Sequence, residues 1–167
     1  MSAQTLDVSV IGYSKDYAQD LLRLLLLLQR DYFSENASEQ IKELRAEKDI
    51  QGAYKTYVRY IASRQDDTWK VLLAVASGEI IGFIIGSIIV EPDLVNGIVG
   101  RIEDWYVEKN YRGSGIGMEL YDALEDWFIE KECDQVVSDT WAGNELIIKA
   151  HKQSGFFISG ISFSKKL

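Results

Sequence analysis

One cysteine, one histidine and one proline are present in 167 residues. Cys133 has no partner for an internal disulfide, and His151 alone beside it makes no zinc-ligand set, so no metal is expected. Such a chain suits a reducing, cytoplasmic compartment. No run of basic residues is longer than Lys165-Lys166, and 26 acidic against 18 basic residues give a net charge of −8. That balance lacks the electrostatic footprint of a nucleic-acid binder and favours a cationic partner. No apolar run approaches the ~20 residues that span a bilayer. The leucines from Leu21 to Leu28 are interrupted by Arg23 and read as the buried face of a helix, so no membrane partner is expected. Residues 1–10 lack a basic stretch ahead of an apolar one, and no signal peptide is expected.

What is present is a hydrophobic fraction of 47% in 19.0 kDa, enough for one domain over residues 1–167. A short β-rich segment at 8–11 precedes a helix over 15–30, with Tyr17, Leu21, Leu24, Leu25 and Leu28 on one side. A polar stretch at 34–38 leads to helical pieces over 38–47 and 54–61, broken near Gly52. Strands follow at 69–76, 80–90 and 98–107, the first two joined by a tight turn at Ser77-Gly78-Glu79. Gly82 and Gly86 within the second strand suit a bulge or a close backbone approach. A helix begins near Ile116, with Leu120, Leu124 and Trp127 continuing its apolar spacing. The pattern then predicts a strand over 135–141, a helix over 144–153 and a terminal strand over 155–164, interrupted at Gly160.

Arg112-Gly113-Ser114-Gly115-Ile116-Gly117 opens the helix that begins near Ile116. Three alternate glycines allow a tight turn that points several N–H groups at an anion on the helix N-terminus. The spacing excludes a P-loop, because no Lys-Ser/Thr follows. It also excludes the dinucleotide fingerprint, because Met118 stands where a glycine is required.

The segment Ile102-Glu103-Asp104-Trp105-Tyr106-Val107, followed by Tyr111-Arg112-Gly113-Ser114-Gly115-Ile116-Gly117, resembles the central motif of the GNAT-type N-acetyltransferase superfamily. Arg112, Gly115 and Gly117 fill its Arg/Gln-x-x-Gly-x-Gly/Ala pattern. Trp141, Asn144 and Ser154-Gly155-Phe156 resemble its later strand, helix and turn. The resemblance implies a mixed α/β fold with a central, mostly antiparallel sheet, splayed between the fourth and fifth strands and flanked by helices on both faces. It implies acetyl-CoA as cofactor, with the pyrophosphate on the backbone of Arg112, Gly113, Ser114, Gly115, Ile116 and Gly117. The pantetheine arm would pair along Trp105, Tyr106 and Val107, and Asn144 would lie beside the cofactor. A homodimer follows from the family's tendency.

Acetyl transfer to an amine needs a group that takes the ammonium proton, whose pKa is ~10, and an acid for the leaving thiolate. Glu103 is the expected base or water-holder, Asp104 a partner that binds the cationic acceptor, and Trp141 a lining residue of the cleft. Successive strand residues face opposite sides, so both acids reach one cleft only across a bulge. The family's acid is a tyrosine seven residues after the asparagine. Here that position is His151, an expected proton donor, with Tyr106 and Tyr111 open as substitutes. The two acids and the net charge also resemble the polyamine (spermidine/spermine) branch, and the Ile-Glu-Asp start is shared with aminoglycoside and ribosomal-protein acetyltransferases. The expected reaction is acetylation of a small cationic amine. A protein N-terminal or lysine acetyltransferase and a non-catalytic acyl-CoA sensor are the alternatives.

Overall fold

The computed structural model describes residues 7–44, 49–64, 67–95 and 97–165. Among these, five strands form one sheet in sequence order: β1 (Val8–Gly12), β2 (Trp69–Ala76), β3 (Glu79–Val90), β4 (Ile98–Val107) and β5 (Gln135–Ser138). β1 to β4 pair antiparallel, and β5 pairs parallel to β4. Ser77 and Gly78 join β2 to β3 with φ of 51° and 81°. Two positive φ values match a two-residue turn to the strand twist.

β3 is apolar along nearly its whole length because helices cover both faces of the sheet. α1 (Ala18–Asn36) and α3 (Ile50–Ser63) lie on one face, packing Leu21, Leu24, Leu25, Val58 and Ile61 on Val71, Leu73, Phe83 and Ile85. α4 (Ile116–Glu130) lies on the other, with Ile116, Leu120, Leu124 and Phe128 on Leu72, Ala74, Ile84 and Ile102. Its close seating depends on glycine: a Cβ at Gly100 would stand 2.5 Å from Phe128, and one at Gly86 would stand 2.7 Å from Leu124. α2 (Glu39–Leu44) and α5 (Glu145–Gln153) complete the described helices. None of the described helices is long and apolar enough to cross a membrane.

Four expectations need correction. The first helix begins with a 3-10 turn at Lys15–Tyr17 and continues to Asn36 rather than ending at 30. Gly52 does not break a helix. It lies in the first turn of α3, where its N–H donates to the Asp49 carboxylate at 2.8 Å, and the capped end is the start of the helix. Residues 45–47 of the expected second piece lie outside the described residues. β5 stops at Ser138, short of Trp141. The expected terminal strand is absent: residues 156–165 pair with no strand, and Phe157, Ile161 and Phe163 are 82%, 77% and 93% exposed. Apolar alternation gives a segment two faces, but a strand also needs a neighbour for its N–H and C=O groups.

Candidate active site

The cleft begins where two strands part. β5 pairs with β4 only from Val99 to Ile102, against Gln135 to Ser138. From Glu103 to Val107 the β4 edge on that side has no partner strand among the described residues, which is the expected splay. An unpaired edge of N–H and C=O groups receives an extended ligand as an added strand.

The glycine loop lies at the end of this edge. A 3-10 turn over Lys109–Tyr111 leads into Gly113 and Gly115, with φ of 79° and 93°. A Cβ at either position would meet nothing within 4 Å, so the loop has open space beside it. Gly115 is the N-cap of α4 and supplies no side-chain acceptor, which leaves the first N–H groups of a 15-residue helix without a cap. Ser114 donates to the Tyr111 carbonyl at 2.6 Å, and the Arg112 N–H closes the turn on Lys109 at 3.2 Å. A Cβ at Gly117 would stand 3.6 Å from the Trp105 indole. The Arg112 guanidinium turns inward: Nε donates to the Val107 carbonyl at 2.8 Å, and Nη2 to Asp31 at 3.2 Å.

Glu103 and Asp104 face the same side of the sheet. The β3–β4 register shifts between Ile85 and Gly86, so Ile85 opposes Asp104 and Gly86 opposes Ile102, with Glu103 as the extra residue. Glu103 accepts from the Ser87 hydroxyl and stands 3.7 Å from Arg101, which also pairs with Asp139. Asp104 accepts from the Tyr57 hydroxyl of α3 at 2.8 Å. Burial pushes Asp104 up to about 6; the Tyr57 hydrogen bond opposes this and the Glu103 charge adds to it. Across the cleft Tyr32 hydrogen-bonds Thr140 at 2.7 Å, and its ring lies 6.3 Å from that of Trp141.

His151 sits in α5 with its ring 5.8 Å from Trp105 and 4.8 Å from Phe156. Its Nδ1 lies 2.8 Å from the Ile147 carbonyl. A carbonyl only accepts, so Nδ1 carries a proton and Nε2 is the other ring nitrogen left for a partner. That atom is buried and has no hydrogen-bond partner among the described residues. Asn144 is 4% exposed and caps α5, its side chain accepting from the Ile147 N–H. Tyr106 points to the α1 face, where its hydroxyl donates to Asp31.

The sheet end therefore brings Glu103 and Asp104 together on one face, while Trp105 and His151 meet on the other. Tyr57, Tyr32, Asp31, Ser87 and Arg101 were not singled out in the sequence. Asp31 had a signal, since it continues the Leu21, Leu24, Leu28 spacing as a charge on an apolar stripe. Tyr57 had none, because an aromatic in an amphipathic helix normally reads as core.

A splayed sheet, a glycine cradle and paired acids on a bulged strand define an acyltransferase-type architecture. Residues 22–156 match the acetyltransferase (GNAT) family, and the chain belongs to it. An aminoglycoside N(6')-acetyltransferase type 1 from Stenotrophomonas maltophilia is 34% identical over 89 residues, 51% of this chain and 57% of that protein. The chain thus matches little more than half the length of that relative. A glucosamine 6-phosphate N-acetyltransferase 1 from Dictyostelium discoideum is 27% identical over 82% of this chain and 86% of that protein. Among solved structures, an aminoglycoside N-acetyltransferase in complex with CoA superposes with a TM-score of 0.73 at 20% identity, covering 99% of each chain. At that identity the likeness establishes the fold.

Proposed function

We propose that the protein is an acetyl-CoA-dependent N-acetyltransferase whose acceptor is a small cationic amine, closer to an aminoglycoside than to a polyamine. The observation that carries the acceptor class is the bulge that turns Glu103 and Asp104 to one side of β4. Paired carboxylates beside the Tyr57 ring suit an ammonium group, through charge and through a ring face. The aminoglycoside relative favours a polyaminated sugar within that class.

The residues fit the cofactor. Open space at Gly113 and Gly115 and the uncapped start of α4 suit a pyrophosphate. The free β4 edge from Trp105 to Val107 suits the pantetheine arm. When bound, acetyl-CoA supplies an acetyl thioester. Backbone donors of the glycine loop meet its phosphates locally, so the surplus of acidic residues elsewhere is no obstacle.

Between the two acids, Asp104 is the better base. Both Glu103 oxygens already face partners, the Ser87 hydroxyl and Arg101, which suits an anion that holds the acceptor. Asp104 keeps one oxygen without a hydrogen bond among the described residues, and its value near 6 lets it take the ammonium proton at neutral pH. His151 is the proton donor to the leaving thiolate in this reading. We place the chain in the cytoplasm as a homodimer, with the apolar segment from Phe157 to Phe163 covered by a second copy. Nucleic acid and membrane have no part in this reading.

Ranking kcat/KM over an aminoglycoside, a polyamine, an amino-sugar phosphate and a peptide N-terminus tests the acceptor. The aminoglycoside should lead. A lead for the peptide would replace the small-amine reading with protein acetylation.

A further inference from the structure

α1 carries Asp31 into the interior at 5% exposure. A carboxylate there is costly unless donors meet it, and here they converge from three elements. The Tyr106 hydroxyl of β4 donates to Oδ2 at 2.8 Å, and Arg112 of the glycine loop donates to the same oxygen at 3.2 Å. Arg30 of α1 itself donates to Oδ1 at 3.1 Å, and Lys109 Nζ stands 3.8 Å from that oxygen. Burial pushes the Asp31 carboxyl up, but hydrogen bonds from Tyr106 and Arg30 and the charges of Lys109 and Arg30 outweigh it, leaving it below the ordinary value.

Lys109 and Arg112 flank the turn that delivers the chain into Gly113. Arg112 is gripped on three sides, by Asp31, by the Val107 carbonyl and by the Tyr106 ring, whose centroid lies 5.2 Å from the guanidinium carbon. The next residue of α1, Tyr32, reaches the opposite wall of the cleft at Thr140. One turn of α1 therefore ties the cofactor loop to the loop after β5.

We infer that Asp31 is a positioning residue for cofactor binding: through Arg112 it holds the glycine loop in the conformation that receives the pyrophosphate. The inference rests on the proposed use of that loop for acetyl-CoA. Removing the carboxylate charge leaves Arg112 a neutral acceptor at best in that place, beside the Val107 carbonyl and the Tyr106 ring. The loop must then be ordered at the expense of binding.

Calorimetric titration with CoA tests this on the wild type, Asp31→Asn, Arg112→Gln and the double variant. Asp31→Asn should weaken CoA binding about tenfold, the scale of a lost charge-assisted hydrogen bond. The double variant should bind no more weakly than Arg112→Gln, because both changes break one interaction. If Asp31→Asn fails to fold, Arg112→Lys, which keeps the charge and loses the fork to Asp31 and Val107, should weaken CoA to a similar degree. A lower melting temperature with unchanged CoA affinity in Asp31→Asn would overturn the inference, as would full additivity in the double variant. Failure of the wild type to bind CoA would overturn the reading of the loop itself, a result distinct from a loss confined to the variants.

Discussion

The Tyr57 hydroxyl donates to the Asp104 carboxylate at 2.8 Å, bringing a helix residue onto an acid that only a bulged strand turns toward it. The contact sets the pH behaviour expected of the protein. With Asp104 as base, kcat/KM rises as pH increases through about 6. Asp104→Asn should abolish that limb and lower activity about a hundredfold. Tyr57→Phe removes a bond that favours the ionised form, so the limb should move to higher pH. The stability effect has the opposite sense to that of a salt-bridged acid. The folded value lies above the unfolded ~3.9, so the stability gained from the protonated group is present below that pH and lost as pH rises through the folded value. Relative to wild type, Asp104→Asn should gain melting temperature across that window. A pH–rate profile unchanged in Asp104→Asn would remove Asp104 from the role.

Gly115 combines a φ of 93° with open space at its Cβ position. Gly115→Ala should therefore cost about 1 kcal/mol of stability from backbone strain alone. Its methyl group also enters the anion cradle, and CoA affinity should fall about tenfold by titration. Unchanged affinity would place the pyrophosphate elsewhere.

His151 is tested as an acid by His151→Phe, which keeps the packing against Trp105 and Phe156. Loss of the proton donor should lower kcat about tenfold or more and leave the melting temperature nearly unchanged. Equal kcat would make the ring structural.

The tail beyond Gly155 leaves Phe157, Ile158, Ile161 and Phe163 exposed together. In the proposed homodimer a second copy covers them. Light scattering should give a dimer for the wild type and a monomer for the double change Ile161→Asp and Phe163→Asp. A monomeric wild type would contradict the proposed homodimer.

Much of the sheet was legible because β2 and β3 are apolar runs joined by a tight turn, and the glycine loop was legible because it opens a helix and fills the family's pattern. The end of α1 was not. The expected helix ends at residue 30, and although Asp31 continues its apolar spacing as a charge, only its partners on β4 and the glycine loop show why it is interior. The shared face of Glu103 and Asp104 was equally hidden, since a bulge depends on which residue of β3 lies opposite. The tail has the alternation of a strand, but its pairing depends on a neighbour that local sequence does not specify. Asn144, expected beside the cofactor, caps α5 through its side-chain oxygen, a role its place ahead of the helix already suited.

The most direct test of acetyl transfer is simultaneous measurement of free CoA thiol and acetylated amine, with acetyl-CoA and an aminoglycoside as substrates. The account predicts equal amounts of both products, formed only when enzyme, acetyl-CoA and amine are all present. Tight CoA binding without thiol release on any class of amine would contradict it and identify the protein as an acyl-CoA sensor.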